Sequence, residues 1–416
     1  MRPYSFFIYI LFSLVMRQII CNFATNLRRL KIKHEVQLFN FTPMKTKTER
    51  FFMTMLLCLM ALAASSQTTV VDKDENFPVA YASVFNQDGK FLGQTDVDGL
   101  LPDIQDAKSI RITHIAYEPL MAKTGKMGAT LKMKPVQMSL NDAVIAKPRS
   151  FCIRLTGFLR NFSLSNQLFE DDDPILHFYE GTGQLYIFLD SKKSSKWVDL
   201  ATRDSRTGEM VDEQKHVTLH LSSNSVIEGI RKSKKYTTRE AEGFTQIIKN
   251  DTTVGTIMTD TANHILRTDI DYLFPDTART INLLLMKIRV TSAKDSYIYR
   301  QPEDDYCSQS NLLAHQSYMR CWTKAFGKRI EGDSFDELYI DLAEFLTEEE
   351  YKEATKQYKA DKKSGAYSLT SEQLDEYISS HNIPQIPEEL QKSLEISREI
   401  QAKKAEKKAE KKKKKE

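Results

Sequence analysis

A chain of 416 residues with a formal charge of +3 and 41% hydrophobic residues has room for two or three domains, because one core seldom grows past roughly 250–300 residues. Its 15 Gly, 12 Pro and five Cys exclude collagen-like, proline-rich and disulfide-scaffold classes, and the composition excludes a polytopic membrane protein and a wholly disordered chain. The charge is uneven: +5 over residues 1–43, +2 over 44–66 and +6 over 402–416, which leaves −10 on residues 67–401. A nucleic-acid-binding domain carries its basic charge on the folded part, so no nucleic-acid partner is expected.

Phe51 to Ala64 is almost wholly apolar, follows Lys45, Lys47 and Arg50, and precedes Ala64-Ser65-Ser66-Gln67. A basic flank, a short apolar run and small residues before a cleavage point describe a secretory signal peptide. The run is too short to span a bilayer, which takes about 20 residues. Residues 44–66 have the length of an ordinary signal, so residues 1–43 read as an over-extended gene start. Export to the periplasm or outer membrane is expected and argues against cytosolic cofactors such as ATP; no cofactor is expected. Cys152, Cys307 and Cys321 then enter a disulfide-permissive space, with Cys307–Cys321 the nearest pair in sequence.

From Thr69 to about Leu140 the hydrophobic period is near two and turns are frequent. Val79–Phe85, Lys90–Thr95, Ser109–Ile115 and Leu131–Lys134 read as strands, separated by turns at Asn86-Gln87-Asp88-Gly89 and Asp96-Val97-Asp98-Gly99. Short strands at this spacing suggest a small β-sandwich over residues 67–145. The Asp96–Asp98 turn has no glutamate at calcium-loop spacing and reads as a plain turn.

These residues resemble a known family. Val71-Asp72, Pro78-Val79-Ala80-Tyr81-Ala82-Ser83-Val84, Gly93-Gln94-Thr95-Asp96-Val97-Asp98-Gly99 and Ile110–Tyr117 look like a carboxypeptidase-regulatory-like, transthyretin-like domain, over residues 68–141. Leu100-Leu101-Pro102 departs from the family, which continues there with an aromatic-led strand. The resemblance implies a β-sandwich of the Gram-negative cell envelope, where such a domain often stands first after the signal peptide. Leu140–Ala146 is similar to the short linker that follows it in outer-membrane transporters. The remaining chain is too short for a transporter's plug and barrel.

Residues 150–345 read as a β-rich α+β domain, with strands at Gln184–Leu189, Val217–Leu221, Thr245–Ile248 and Leu283–Thr291. His177-Phe-Tyr-Glu180 has the H-x-x-E spacing of metallocarboxypeptidases, but a strand would put positions three apart on opposite faces. His216 and His220 have zinc-chelating spacing for a helix, yet their segment alternates as a strand, where four residues span roughly 13 Å. No metal is expected; His177 and Glu180 are the residues an alternative metal site would use. Cys307 and Cys321 have His315 nearby, and a disulfide or buried thiol is the preferred reading over a nucleophile. Asp251-Thr252, Asp260-Thr261 and Asp276-Thr277 resemble the O-glycosylation acceptor of some Gram-negative anaerobes, with Thr252, Thr261 and Thr277 as acceptors.

Thr347 and Glu350 form a capping box that opens a helical segment over 346–401, with helices at 347–363, 371–380 and from Glu388. The tail 402–416 is Lys/Glu-rich, and Lys403–Lys415 offers contact with an anionic membrane surface. The expected fold is mainly β with α: a transthyretin-like sandwich, a mixed β-rich α+β domain and a helical charged tail. The expected function is an exported, non-catalytic envelope protein that binds a protein, glycan or outer-membrane partner. The alternative is an envelope hydrolase, metallopeptidase-like, with its site in residues 150–345.

Overall fold

A computed structural model describes residues 67–416 apart from 105–106, 137–148, 166–174, 191–192, 194, 205–220, 277, 284–285, 304–305, 326–327, 365–370, 387 and 414–416. The leader segments, the linker at 140–146, His216, His220 and Thr277 therefore lie outside the described residues. The fold is mainly β with some α.

Six short strands come first: β1 (Thr69–Asp72), β2 (Ser83–Asn86), β3 (Phe91–Gln94), β4 (Ser109–His114), β5 (Tyr117–Lys123) and β6 (Thr130–Met133). They form an antiparallel sheet in the order β3-β2-β4-β5 and a parallel pair, β1 with β6. Val70, Val84, Ile110, Ile112, Tyr117 and Met133 are buried together between them. In β4 the exposure alternates strictly, so its apolar side chains all reach this core. The two expected turns are present. Gly99 has φ +74°, and a Cβ there would meet the Val70 carbonyl oxygen at 2.4 Å, so both backbone angle and space demand glycine. The Asp96 carboxylate accepts the N–H groups of Asp98 and Leu100 at 3.0 and 2.9 Å, which makes this a side-chain-closed turn.

The long strands follow: β7 (Cys152–Ser165), β8 (Ile175–Phe188), β9 (Lys196–Asp204), β10 (Thr237–Ala241), β11 (Phe244–Lys249), β12 (Thr252–Asp260), β13 (Ile265–Asp271), β14 (Arg279–Leu283), β15 (Met286–Arg300), β16 (Leu312–Ala325) and β17 (Lys328–Leu346). They build one eleven-stranded sheet in the order β10-β11-β12-β13-β15-β16-β17-β7-β8-β9, with β14 pairing β15. Every pairing in this sheet is antiparallel, and most join strands adjacent in sequence; the exceptions are β13 with β15 and β17 with β7, while β9 and β10 form the two edges.

Helix α1 (Val226–Lys232) lies on one face, where Ile227 and Ile230 pack with Leu155, Leu159, Leu185 and Leu338. Ser225 caps it, accepting the Glu228 N–H at 3.3 Å and donating to the Cys307 carbonyl at 2.6 Å. The other face is covered by the small β unit and by α2 (Glu348–Ser364), α3 (Ser371–Ser380) and α4 (Glu388–Lys413). Phe85 and Phe91 from the small unit meet Phe162, Tyr318 and Phe335 of the sheet and Leu390 and Leu394 of α4. Leu374 and Ile378 of α3 pack on Phe158, and Tyr358 of α2 on Tyr186. The capping box forms: the Thr347 N–H donates to Glu350 at 2.8 Å and the Glu350 N–H to the Thr347 hydroxyl at 3.3 Å. No helix of the described residues is long and apolar enough to cross a membrane.

Candidate functional site

Across the covered face runs a row of polar residues in lateral register. Asp269 of β13 stands opposite Ser296 of β15, then Gln316 of β16, Glu337 of β17, Arg160 of β7 and Glu180 of β8. All but Glu337 are buried. A buried charge costs several kcal/mol unless paired and hydrogen-bonded, and the row alternates in sign where it is most charged. Arg160 pairs with Glu180 and with Glu337, each at 3.2 Å, and its Nη1 donates to the Pro384 carbonyl at 2.9 Å. The β sheet and the segment before α4 are thus tied through one guanidinium.

The small unit enters the same row at its β4–β5 turn. The Ala116 N–H donates to His114 Nδ1 at 3.1 Å, so the proton of the neutral ring sits on Nε2. That nitrogen lies 3.2 Å from Asp269 and 3.1 Å from the Ser296 hydroxyl. Burial lowers the His114 pKa; Asp269 opposes this and Arg267 adds to it. Next to His114, the Ile115 N–H donates to Gln316 at 3.1 Å. Arg267 lies 3.0 Å from Asp269 and donates to the Tyr117 hydroxyl, which itself donates to Asp72 at 2.9 Å. Between these contacts is a cavity of about 50 Å³, lined among others by Thr113, His114, Arg160, Gln316, Glu337 and Pro384. Arg160 Nη2 has no hydrogen-bond partner among the described residues. The space and its lining suit a few ordered waters, which makes the site a polar joint between three parts of the fold.

On the opposite face, one residue along β16, His315 is stacked on Tyr297 with ring centroids 4.4 Å apart. Its Nε2 lies 3.5 Å from Asp295, and neither ring nitrogen makes a hydrogen bond. Asp295 accepts the Tyr297 hydroxyl at 2.8 Å. Burial pushes the nearby Asp336 carboxyl upward, against a hydrogen bond from Asn161 and the charge of His315. Among the described residues no group of His, Cys, Asp and Glu could hold a metal ion.

The residues singled out in the sequence fall elsewhere. His177 and Glu180 both lie in β8, where His177 pairs with Ser163; Glu180 is fully buried and committed to Arg160. The expected Cys307–Cys321 bridge does not form: both, and Cys152, are free thiols. Cys307 precedes β16 beside α1, whereas Cys321 lies near the far end of that strand. At about 3.4 Å per residue the strand carries it far beyond the roughly 7 Å that a disulfide can bridge. Burial pushes the Cys152 thiol up to about 11 and the Cys307 thiol up to about 12, away from nucleophilic character. Thr252 is half-buried at the start of β12, and Thr261 is exposed in the turn after it.

No family model matches the chain, and neither does any curated protein. Apart from Glu180, singled out for a different role, the residues of the joint were missed because each is a polar or charged residue inside a strand. A signal was present nonetheless: Arg160 has Phe158 and Phe162 two positions to either side, which puts a charge on an apolar face.

Proposed function

We propose that the protein is an exported, non-catalytic component of the cell envelope that binds a protein, glycan or outer-membrane partner through its β domains. The observation that carries this reading is the joint. Arg160, Glu180, Glu337 and His114 are engaged in holding its parts together. A fixed arrangement of two β units suits presentation of surfaces to a partner. The small unit is read as carboxypeptidase-regulatory-like; its two sheets around one core support that. Crosslinking in intact cells, followed by identification of what the full chain captures, tests the binding role. Recovery from the envelope fraction of protein that begins near Gln67 tests export, and an intact Met1 or Met44 terminus there contradicts it.

A second reading, an envelope hydrolase with its site in residues 150–345, draws on His315 rather than His177. A buried imidazole without hydrogen bonds beside a carboxylate is an arrangement that acid–base sites use. Hydrolysis of envelope substrates that is lost in His315→Ala and kept in His177→Ala would favour it. Stoichiometric zinc lost on His177→Ala would restore the metallopeptidase alternative.

A further inference from the structure

The large sheet does not end evenly. β13 pairs with β15 only from Lys294 onward, and β7 joins β17 only from Gly332. Beyond those points the sheet continues as a four-stranded ribbon made of β14, the start of β15, the end of β16 and the start of β17. Five residues of β15, Met286–Val290, extend it by roughly 17 Å at about 3.4 Å per residue.

One row short of its tip the ribbon carries Asn282–Lys287–Lys324–Arg329, in direct lateral register. All four side chains are exposed. Three cations on adjacent strands stand about 4.8 Å apart in backbone, and like charges placed directly opposite destabilise a sheet. Two residues further back on the same face are Arg289 and Trp322. Lys287 and Arg329 lie over the Trp322 ring at 5.8 and 4.8 Å. On the reverse face Ile281 is 42% exposed and stands opposite the half-buried Ile288. Among the described residues Glu331 lies 3.4 Å from Arg329 and offsets part of this charge, while residues 67–401 as a whole carry −10. A positive end on an acidic body is an address for a negative partner. The indole behind the cation row and the exposed isoleucine suit an interface that is charged at its surface and apolar just beneath.

We propose that this ribbon end is a docking surface for an anionic lipid bilayer. It meets the membrane end-on, with Lys287, Lys324 and Arg329 among the headgroups and Ile281 contributing apolar contact. This site goes beyond the binding role proposed above and is separate from the lysines of the tail.

Co-sedimentation with vesicles tests it, using the chain that ends at Gln401 so that tail lysines do not contribute; this chain keeps the buried Leu390, Leu394 and Ser397 of α4. It should bind vesicles of two parts phosphatidylcholine to one part phosphatidylglycerol at low salt, and pure phosphatidylcholine much less. Each cation near an anionic surface is worth about 1 kcal/mol, so Lys287→Gln, Lys324→Gln and Arg329→Gln together should weaken binding roughly a hundredfold. The triple variant should unfold at the same temperature as its parent or slightly higher, which separates lost docking from lost fold. Ile281→Ser alone, which leaves the charge unchanged, should weaken vesicle binding several-fold while leaving binding to heparin unchanged. Equal vesicle binding by the parent and the triple variant overturns the proposal. So does vesicle binding that Ile281→Ser leaves untouched while heparin binds as tightly, since that marks a general polyanion site.

Discussion

The large sheet carries two rows of charged residues and treats them in opposite ways. At its centre Glu337, Arg160 and Glu180 alternate in sign, lie beneath other elements and satisfy one another. At its end Lys287, Lys324 and Arg329 repeat one sign and face solvent. Both rows arise from the same geometry, side chains in lateral register about 4.8 Å apart. What differs is the surroundings. A buried row must neutralise itself or the fold does not form, whereas water screens an exposed row of like charges to a tolerable cost. The centre therefore reports on stability and the end on partners.

The largest effect should come from breaking the centre. Arg160→Met leaves Glu180 buried without its cation and should cost about 3–5 kcal/mol in urea unfolding. Adding Glu180→Leu should recover much of that, because removing both charges of a buried pair is often close to neutral. A double variant as unstable as the single one would show that Arg160 acts through Glu337 and Pro384 instead.

The joint should also give the centre a pH dependence. The folded-state pKa of His114 is lowered, so the unfolded chain, titrating near 6.5, takes up that proton first. The stability His114 contributes is complete above about pH 6.5 and declines as the pH falls below it. Asp269 stays ionised through this window, since Arg267 and His114 hold its carboxyl low although burial opposes them. Asp341, raised by burial to about 6, works in the other direction. The difference between the wild type and His114→Gln is accordingly the readout, and it should shrink from pH 7 to pH 5. A constant difference would mean that the ring is not neutral in the folded protein.

Making the end resemble the centre should yield a smaller change of opposite sign. Lys324→Glu places an anion between Lys287 and Arg329 and should stabilise the sheet by about 0.2–1 kcal/mol, visible as a raised thermal midpoint. Removing residues 402–416 should move stability by less than about 0.5 kcal/mol, because the α4 side chains described as buried, Leu390, Leu394 and Ser397, all precede them.

Much of the local structure was legible. The turns at Gly89 and Gly99, the capping box at Thr347 and the helices from Glu348, Ser371 and Glu388 follow from short-range chemistry, and the structure contains each of them. The strands expected at Ser109, Gln184 and Thr245 also lie within β4, β8 and β11. Helix α1 was missed: its seven residues include Gly229 and are held by Ser225 and by packing on a sheet distant in sequence. The joint was missed for a related reason. Arg160 and Glu337 are far apart along the chain, and only the β7–β17 register makes them neighbours. Pairing of Cys307 with Cys321 failed because closeness in sequence becomes distance once both flank a long extended strand.

That register also sets an order of events at synthesis. β7, β8 and β9 can assemble as soon as they emerge, and so can the hairpins from β10 onward. One side of β7 must nevertheless stay open until β17 arrives, since on that side Cys152 is paired by Leu346, the last residue of β17. During that interval the chain presents a fourteen-residue strand edge to any neighbour able to add a strand. A chain cut short before β17 would keep that edge for good, and such fragments should be prone to aggregate through it.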